Sequence, residues 1–131
     1  VKLDEISQST ILNLQVPIFL SHFVINVFLP KTKFLTICNI SSGAAVHALE
    51  NWSMYCTMKS GLKMFTDCLN VDYSEVSKLK AFSFYPGVMD TQMQATIRKQ
   101  PAKNFKNLNR FKDLKEKNEL LDPVFVSKSI V

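Results

Sequence analysis

Glycine is scarce in this 131-residue sequence: Gly43, Gly61 and Gly87 are the only three, and no two of them lie close enough to build a glycine-rich loop. A phosphate cradle of the kind that opens many nucleotide-binding domains is therefore excluded within the chain. The three cysteines, Cys38, Cys56 and Cys68, show no CxxC spacing. They form neither a zinc motif nor a disulfide framework, and read as the reduced thiols of a cytoplasmic protein. His22 and His47 have no acidic or cysteine partners arranged around them, so no metal site is expected and both read as ordinary packing or surface residues. Charge is missing too. From Ile6 to Pro30 the chain carries no Asp, Glu, Lys or Arg.

That uncharged stretch, "ISQSTILNLQVPIFLSHFVINVFLP", is long enough to cross a bilayer. Asn13, Gln15, Ser21, His22 and Asn26, with Pro17 in the middle, argue against it, because polar groups in hydrocarbon are costly. A helix apolar nearly all round also suits a protein core or a subunit interface, which is the reading preferred here. The stretch lacks the basic n-region and small-residue cleavage site of a signal peptide.

Hydrophobic residues make up 47% of the sequence, enough for a core, and the formal net charge is +5. A single partial domain over residues 1–131 is expected. The first residue is Val1, and "DPVFVSKSIV" stops inside a helical pattern, so the chain reads as a piece of something longer.

The uncharged helix is expected to run from about Ile6 to Leu29, where Pro30 ends it. "TKFLTICNIS" has the β-branched and aromatic character of a buried strand, and "SGAAVHALEN" reads as loop. From Trp52 to Tyr73 apolar residues recur at helical spacing through Met54, Met58, Leu62, Phe65 and Leu69. "LKAFSFYPG" is a second strand, closed by Pro86-Gly87. Helix, strand, helix, strand implies a parallel sheet with crossover helices. After Gly87 the chain turns polar and basic. Asp113, Glu116 and Glu119 interleave the lysines and arginines, and stacking aromatics are few, so no nucleic-acid partner is expected.

In a parallel α/β sheet reactive groups gather at the carboxyl ends of the strands. Ser41 and Ser42 fall at the end of the first strand, and Tyr55 and Lys59 stand one turn apart on the helix that follows. A free tyrosine, with a pKa of about 10, is a poor acid–base catalyst at neutral pH. A lysine cation nearby favours the phenolate, and a serine hydroxyl can hold a substrate oxygen beside it. Such a set suits proton transfer at an oxygen where an alkoxide is made or consumed.

"NISS", the thirteen-residue step from Ser42 to Tyr55, "YCTMK" and the later "YPGVMDT" together resemble the short-chain dehydrogenase/reductase pattern. Within that family, "ENWSMYCTMKSG" and "PGVMDTQMQ" are most similar to sepiapterin reductases and bacterial benzil reductases. The resemblance implies an α/β fold: part of a Rossmann-like, doubly wound parallel sheet, without the N-terminal glycine-rich half and without the last strand. It implies an NAD(P)H-dependent carbonyl reductase acting on a small-molecule carbonyl, a pterin side chain or a dicarbonyl.

By the same resemblance Tyr55 would donate the proton, and Ser42 would orient the carbonyl oxygen. Lys59 would hold the nicotinamide ribose and favour the tyrosinate. Asn13 would support a water-linked proton relay. Pro86, Gly87, Val88 and Thr91 would touch the nicotinamide and the adjoining phosphate. The cofactor implied is NADP, with NAD left open because the residue that selects between them is not in the chain. Residues 92–121 would form the basic flap over the substrate. The first two helices would pair with a second copy into a homodimer, with Phe19, Phe23, Phe28, Met58 and Phe65 as candidates for that surface. A catalytically inactive fragment or remnant that keeps only the fold's second half and its interface is the alternative. By itself this chain is expected to be inactive and to lack cofactor affinity.

Overall fold

The structure is a computed structural model that describes residues 2–101 and 107–130. The chain forms two compact units, Val1–Tyr85 and Pro86–Val131.

The first unit opens with α1 (Leu3–Thr10), a π-helical turn (Ile11–Gln15) and α2 (Val16–Phe28), which closes in a short 3₁₀ turn at Leu29–Lys31. The expected single helix from Ile6 to Leu29 thus begins earlier, at Leu3, and carries a π-turn at its middle. Pro17 accounts for the irregularity. It has no N–H to give to the carbonyl four residues back, that of Asn13. The Val16 N–H reaches Ile11 instead, one residue further than an α-helical bond. Asp4 and Glu5 sit in the first turn of α1, where the helix dipole favours acidic side chains.

Strand β1 (Leu35–Ile40) follows, then a 3₁₀ turn at Gly43–Ala45, helix α3 (Ser53–Asp72) and strand β2 (Leu79–Phe84). The two strands pair in parallel, with Leu35 opposite Leu79 and Ile40 opposite Phe84. Parallel strands need a crossover, and α3 supplies it. Leu35, Ile37, Leu79 and Ala81 share one face of the sheet, and Ile25 from α2 and Leu69 from α3 close a core on it. Asn39 lies on the same face and is buried. Its Nδ2 donates to Thr66 Oγ1 at 2.9 Å, and that hydroxyl in turn donates to the Leu62 carbonyl at 2.8 Å. The opposite row, Thr36, Ile40, Lys80 and Phe82, is exposed. Among the described residues the core covers β1 on one face, that of Ile37.

Phe19, Phe23 and Phe28 lie exposed along α2, with Leu12, Val16 and Leu20 beside them. Phe19 and Phe23 stack on one another, their ring centroids 6.4 Å apart. Phe65 is half-buried against the core cluster. Met58, a candidate for which the sequence leaves open whether it meets a second copy or its own sheet, is only 2% exposed and packs inside its own chain. By length and composition the Leu3–Lys31 run is able to span a membrane.

The second unit holds α4 (Gln92–Arg98), α5 (Leu108–Glu116) and α6 (Pro123–Ser127). A bridge between Met89 and Leu121 ties its two ends together. Asp90 accepts from Lys115 Nζ at 2.5 Å and pairs with Arg98 at 3.5 Å, which holds its carboxyl below the usual carboxylate range. The expected basic flap, 92–121, takes in α4 and α5, while residues 102–106 lie outside the described residues.

Candidate active site

Helix α3 carries the centre of the site. Its crossover path brings its first turns to the carboxyl end of β1, and Tyr55 and Lys59 lie one turn apart there, both half-buried. The Lys59 ammonium sits 5.8 Å from the Tyr55 ring centroid. It donates to the backbone carbonyl of Ile40, the last residue of β1, at 3.0 Å. Burial pushes the Lys59 ammonium below the ordinary lysine value, because a charge loses solvation there. Trp52 stands edge-on to Tyr55, with centroids 5.5 Å apart, and so fixes the ring from the helix start.

Ser42 opens the 3₁₀ turn after β1. Its hydroxyl caps that turn, accepting from the Ala44 N–H at 3.2 Å. The turn is fastened to α3: Ser60 Oγ donates to the Ala45 carbonyl at 2.8 Å, and Cys56 Sγ lies 3.8 Å from the His47 carbonyl. Ser42 therefore belongs to a turn held against the helix that bears Tyr55 and Lys59. Beside it, Ser41 is 2% exposed and its hydroxyl is buried without a partner.

Asn13 sits on the π-turn, and its Nδ2 donates to the Ser9 carbonyl at 3.0 Å. That turn also lies on α3, because Gly61 offers no side chain. A Cβ at Gly61 would come within 3.3 Å of Leu14 Cδ1, so the glycine admits a close approach. In this unit, then, the three turns bearing Asn13, Ser42 and the Tyr55–Lys59 pair meet along the first half of α3.

Pro86, Gly87, Val88 and Thr91 belong to the second unit. Gly87 has φ +74°, a conformation open to glycine at little cost, and a Cβ there would meet Leu121 Cδ1 at 2.9 Å. The Val88 carbonyl accepts from the Leu121 N–H at 2.9 Å. The Thr91 hydroxyl caps α4, accepting from the Gln94 N–H at 3.5 Å. Among the described residues no group of His, Cys, Asp and Glu is arranged to hold a metal.

Two contributions escape the sequence motifs. The Ile40 carbonyl that holds Lys59 gives no signal, since every residue carries a carbonyl. The Trp52–Tyr55 contact does leave a trace, as two aromatics three residues apart on a helix.

A nicotinamide cofactor is the group that the family resemblance implies. The Lys59 ammonium has three N–H donors and gives one to Ile40, which leaves two for the neighbouring hydroxyls of a ribose. This half of the site fits. Residues to cradle a pyrophosphate do not appear, as the three glycines form no loop.

Comparison with known proteins bears on the same residues. The short chain dehydrogenase family model matches residues 1–102. The chain is 38% identical over 130 residues to a benzil reductase ((S)-benzoin forming) of Bacillus subtilis, covering 98% of this chain and 54% of that protein. It is 32% identical over 120 residues to a sepiapterin reductase of Meriones unguiculatus, covering 90% of this chain and 44% of the relative. Among solved structures, that of the KRED1-Pglu enzyme superposes with a TM-score of 0.78 at 30% identity, over 96% of this chain and 51% of that one. The chain thus spans about half the length of the relatives it matches.

The depressed Lys59 pKa has a consequence that can be measured. Between the folded value and the ordinary lysine value of 10.5, the unfolded chain binds the proton more tightly, so stability rises with pH in that window. Urea unfolding of the chain and of Lys59→Met, followed from about pH 8 upward, is expected to show the parent gaining on the variant as pH climbs. A parent that loses ground over that range contradicts the assignment.

Proposed function

This chain belongs to the short chain dehydrogenase family, and on that premise we propose that the protein it comes from is an NAD(P)H-dependent carbonyl reductase, of NADP type, acting on a dicarbonyl or a pterin side chain. The observation that carries the reading is the Tyr55–Lys59 pair on α3, with Lys59 anchored at the carboxyl end of β1 and the Ser42 turn fastened to the same helix. The named relatives favour these substrate classes, since one is called a benzil reductase and another a sepiapterin reductase.

In this reading the Ser42 hydroxyl donates to the substrate oxygen and sets its position. Tyr55 Oη gives its proton to that oxygen as the carbonyl becomes a hydroxyl. A reduced nicotinamide, when bound, supplies the hydride to the carbonyl carbon. Lys59 holds the ribose hydroxyls, and its charge faces the phenolate left on Tyr55. Asn13 supports the water-linked path that returns a proton to the site. By family resemblance Pro86, Gly87, Val88 and Thr91 would contact the nicotinamide and the adjoining phosphate.

A second reading, a catalytically inactive fragment, rests on one observation: three glycines, none in a phosphate-binding loop. Intact mass and the upstream reading frame separate the two. The three free thiols suit a reducing compartment, and we place the protein in the cytoplasm.

The exposed apolar row on α2, Phe19, Leu20 and Phe23, is read as a subunit interface rather than a membrane span. The same helix buries Ser21 and Ile25 and packs Val24 into the core, so one side of it is committed to protein. A self-complementary patch of this kind favours a symmetric homodimer.

In the full-length protein, Tyr55→Phe is expected to leave NADPH binding unchanged while slowing reduction by about 10²–10⁴-fold; turnover kept at the parent's rate would sink the assignment. Light scattering at micromolar concentration is expected to give the mass of a dimer, and Phe19→Asp with Phe23→Asp to halve it. A monomer before substitution contradicts the interface.

A further inference from the structure

The core face of β1 carries a polar side chain where an apolar one would fit. Leu35 and Ile37 pack into the core on that face, and Asn39, next along it, is buried as well. Helix α3 answers it in kind. Its buried row runs Met58, Leu62, Thr66 and Leu69, and Thr66, within that apolar row, has no exposed surface. Asn39 Nδ2 donates to Thr66 Oγ1 at 2.9 Å, and Thr66 Oγ1 donates to the Leu62 carbonyl at 2.8 Å. Both residues suit their elements poorly. Asparagine is depleted in strands, and threonine is a weak helix former whose hydroxyl competes for a backbone carbonyl. Stability does not explain them either, since an apolar pair of the same shape is about as stable in their place.

What the bond has and an apolar contact lacks is direction. A hydrogen bond holds only over a narrow range of distance and angle, so it fixes the roll of α3 on β1. Thr66 stands seven residues after Lys59. Seven residues turn a helix by about 700°, about 20° short of two full turns, so the two side chains leave α3 in nearly the same direction. Their partners on β1 are consecutive: Thr66 takes the Asn39 side chain, and Lys59 donates to the Ile40 carbonyl at 3.0 Å. The helix advances about 10 Å between the two, and the long lysine stem takes up the difference. One turn beyond Thr66, Asn70 Nδ2 donates to the Ala81 carbonyl of β2 at 2.7 Å. A roll of α3 that carried Thr66 off Asn39 would carry Lys59 off Ile40, and Tyr55, one turn before Lys59, would move with it.

We infer that Asn39 and Thr66 are positioning residues for the site: their bond sets the roll of α3 on β1 and so brings Lys59 and Tyr55 to the carboxyl end of the strand. The consequence for turnover rests on the reading of Tyr55 and Lys59 proposed above. The consequence for Lys59 itself rests on the contacts alone.

The full-length protein carrying Asn39→Leu with Thr66→Val tests the inference. Each substitution keeps the branching of the side chain, and together they leave no buried donor behind. The urea midpoint is expected at or above the parent's, while kcat for carbonyl reduction falls about 10–10²-fold. The Lys59 ammonium, titrated by NMR, is expected to return toward the ordinary value of 10.5. A double variant that keeps the parent's Lys59 titration and turnover overturns the inference. If it fails to fold, Thr66→Ser and Thr66→Val decide. The serine keeps the hydroxyl and is expected to match the parent in Lys59 titration and kcat, whereas the valine departs in both; equal values in the two overturn the inference equally. Should the parent reduce no carbonyl, the Lys59 titration still decides, so failure of the proposed reaction is told apart from failure of the positioning role.

Discussion

Two strands that run the same way cannot be joined by a tight turn, and the first unit follows from that constraint. β1 ends where β2 has yet to begin, so the chain must travel back along the sheet before it can pair. Helix α3 is that return path, twenty residues from Ser53 to Asp72. Its start falls by necessity at the carboxyl end of β1, and its far end at the beginning of β2. The side chains of its first turns therefore stand beside the turn that leaves β1. The site is a by-product of the connection.

Apolar packing alone would let such a helix slide or roll on the sheet. Polar contacts along α3 remove that freedom, each made to a backbone group or to a buried partner: Lys59 to Ile40, Ser60 to Ala45, Thr66 to Asn39 and Asn70 to Ala81. A single such bond contributes about 1 kcal/mol net, which is small against the core. Their value is positional, because four of them spread over the helix fix both its rotation and its height. Gly61 contributes by absence, letting the π-turn and Asn13 come close. Lys59 is under two demands. Its ammonium is partly desolvated and gives one N–H to a carbonyl, and the remaining two are those a ribose would use.

The order of elements and the parallel sheet were legible because the signals were local: Pro30 after the uncharged helix, a β-branched run to Ile40, helical spacing from Met54 to Leu69, and Pro86-Gly87 after β2. Tyr55 and Lys59 were legible because four residues on a helix is one turn. What escaped depended on atoms distant in sequence or shared by all residues. The π-turn arises from Pro17 acting four residues back. Met58 lies inside because α3 turns that side to the protein, a rotation that apolar spacing does not set. The Ile40 carbonyl and the Asn70 carboxamide are partners only once the sheet has placed them. The roles proposed for the residues from Pro86 onward rest on family resemblance, not on periodicity.

The central proposal is that Ser42 and Tyr55 meet one reacting oxygen, with Lys59 on the ribose beside them. A crystal structure of the full-length protein with NADPH and an unreactive carbonyl analogue tests it most directly. Ser42 Oγ and Tyr55 Oη are expected within about 3 Å of the same ligand oxygen, with Lys59 Nζ bonded to the ribose. A ligand oxygen bound elsewhere, or a Tyr55 hydroxyl turned away from it with Lys59 still on Ile40, would contradict the account.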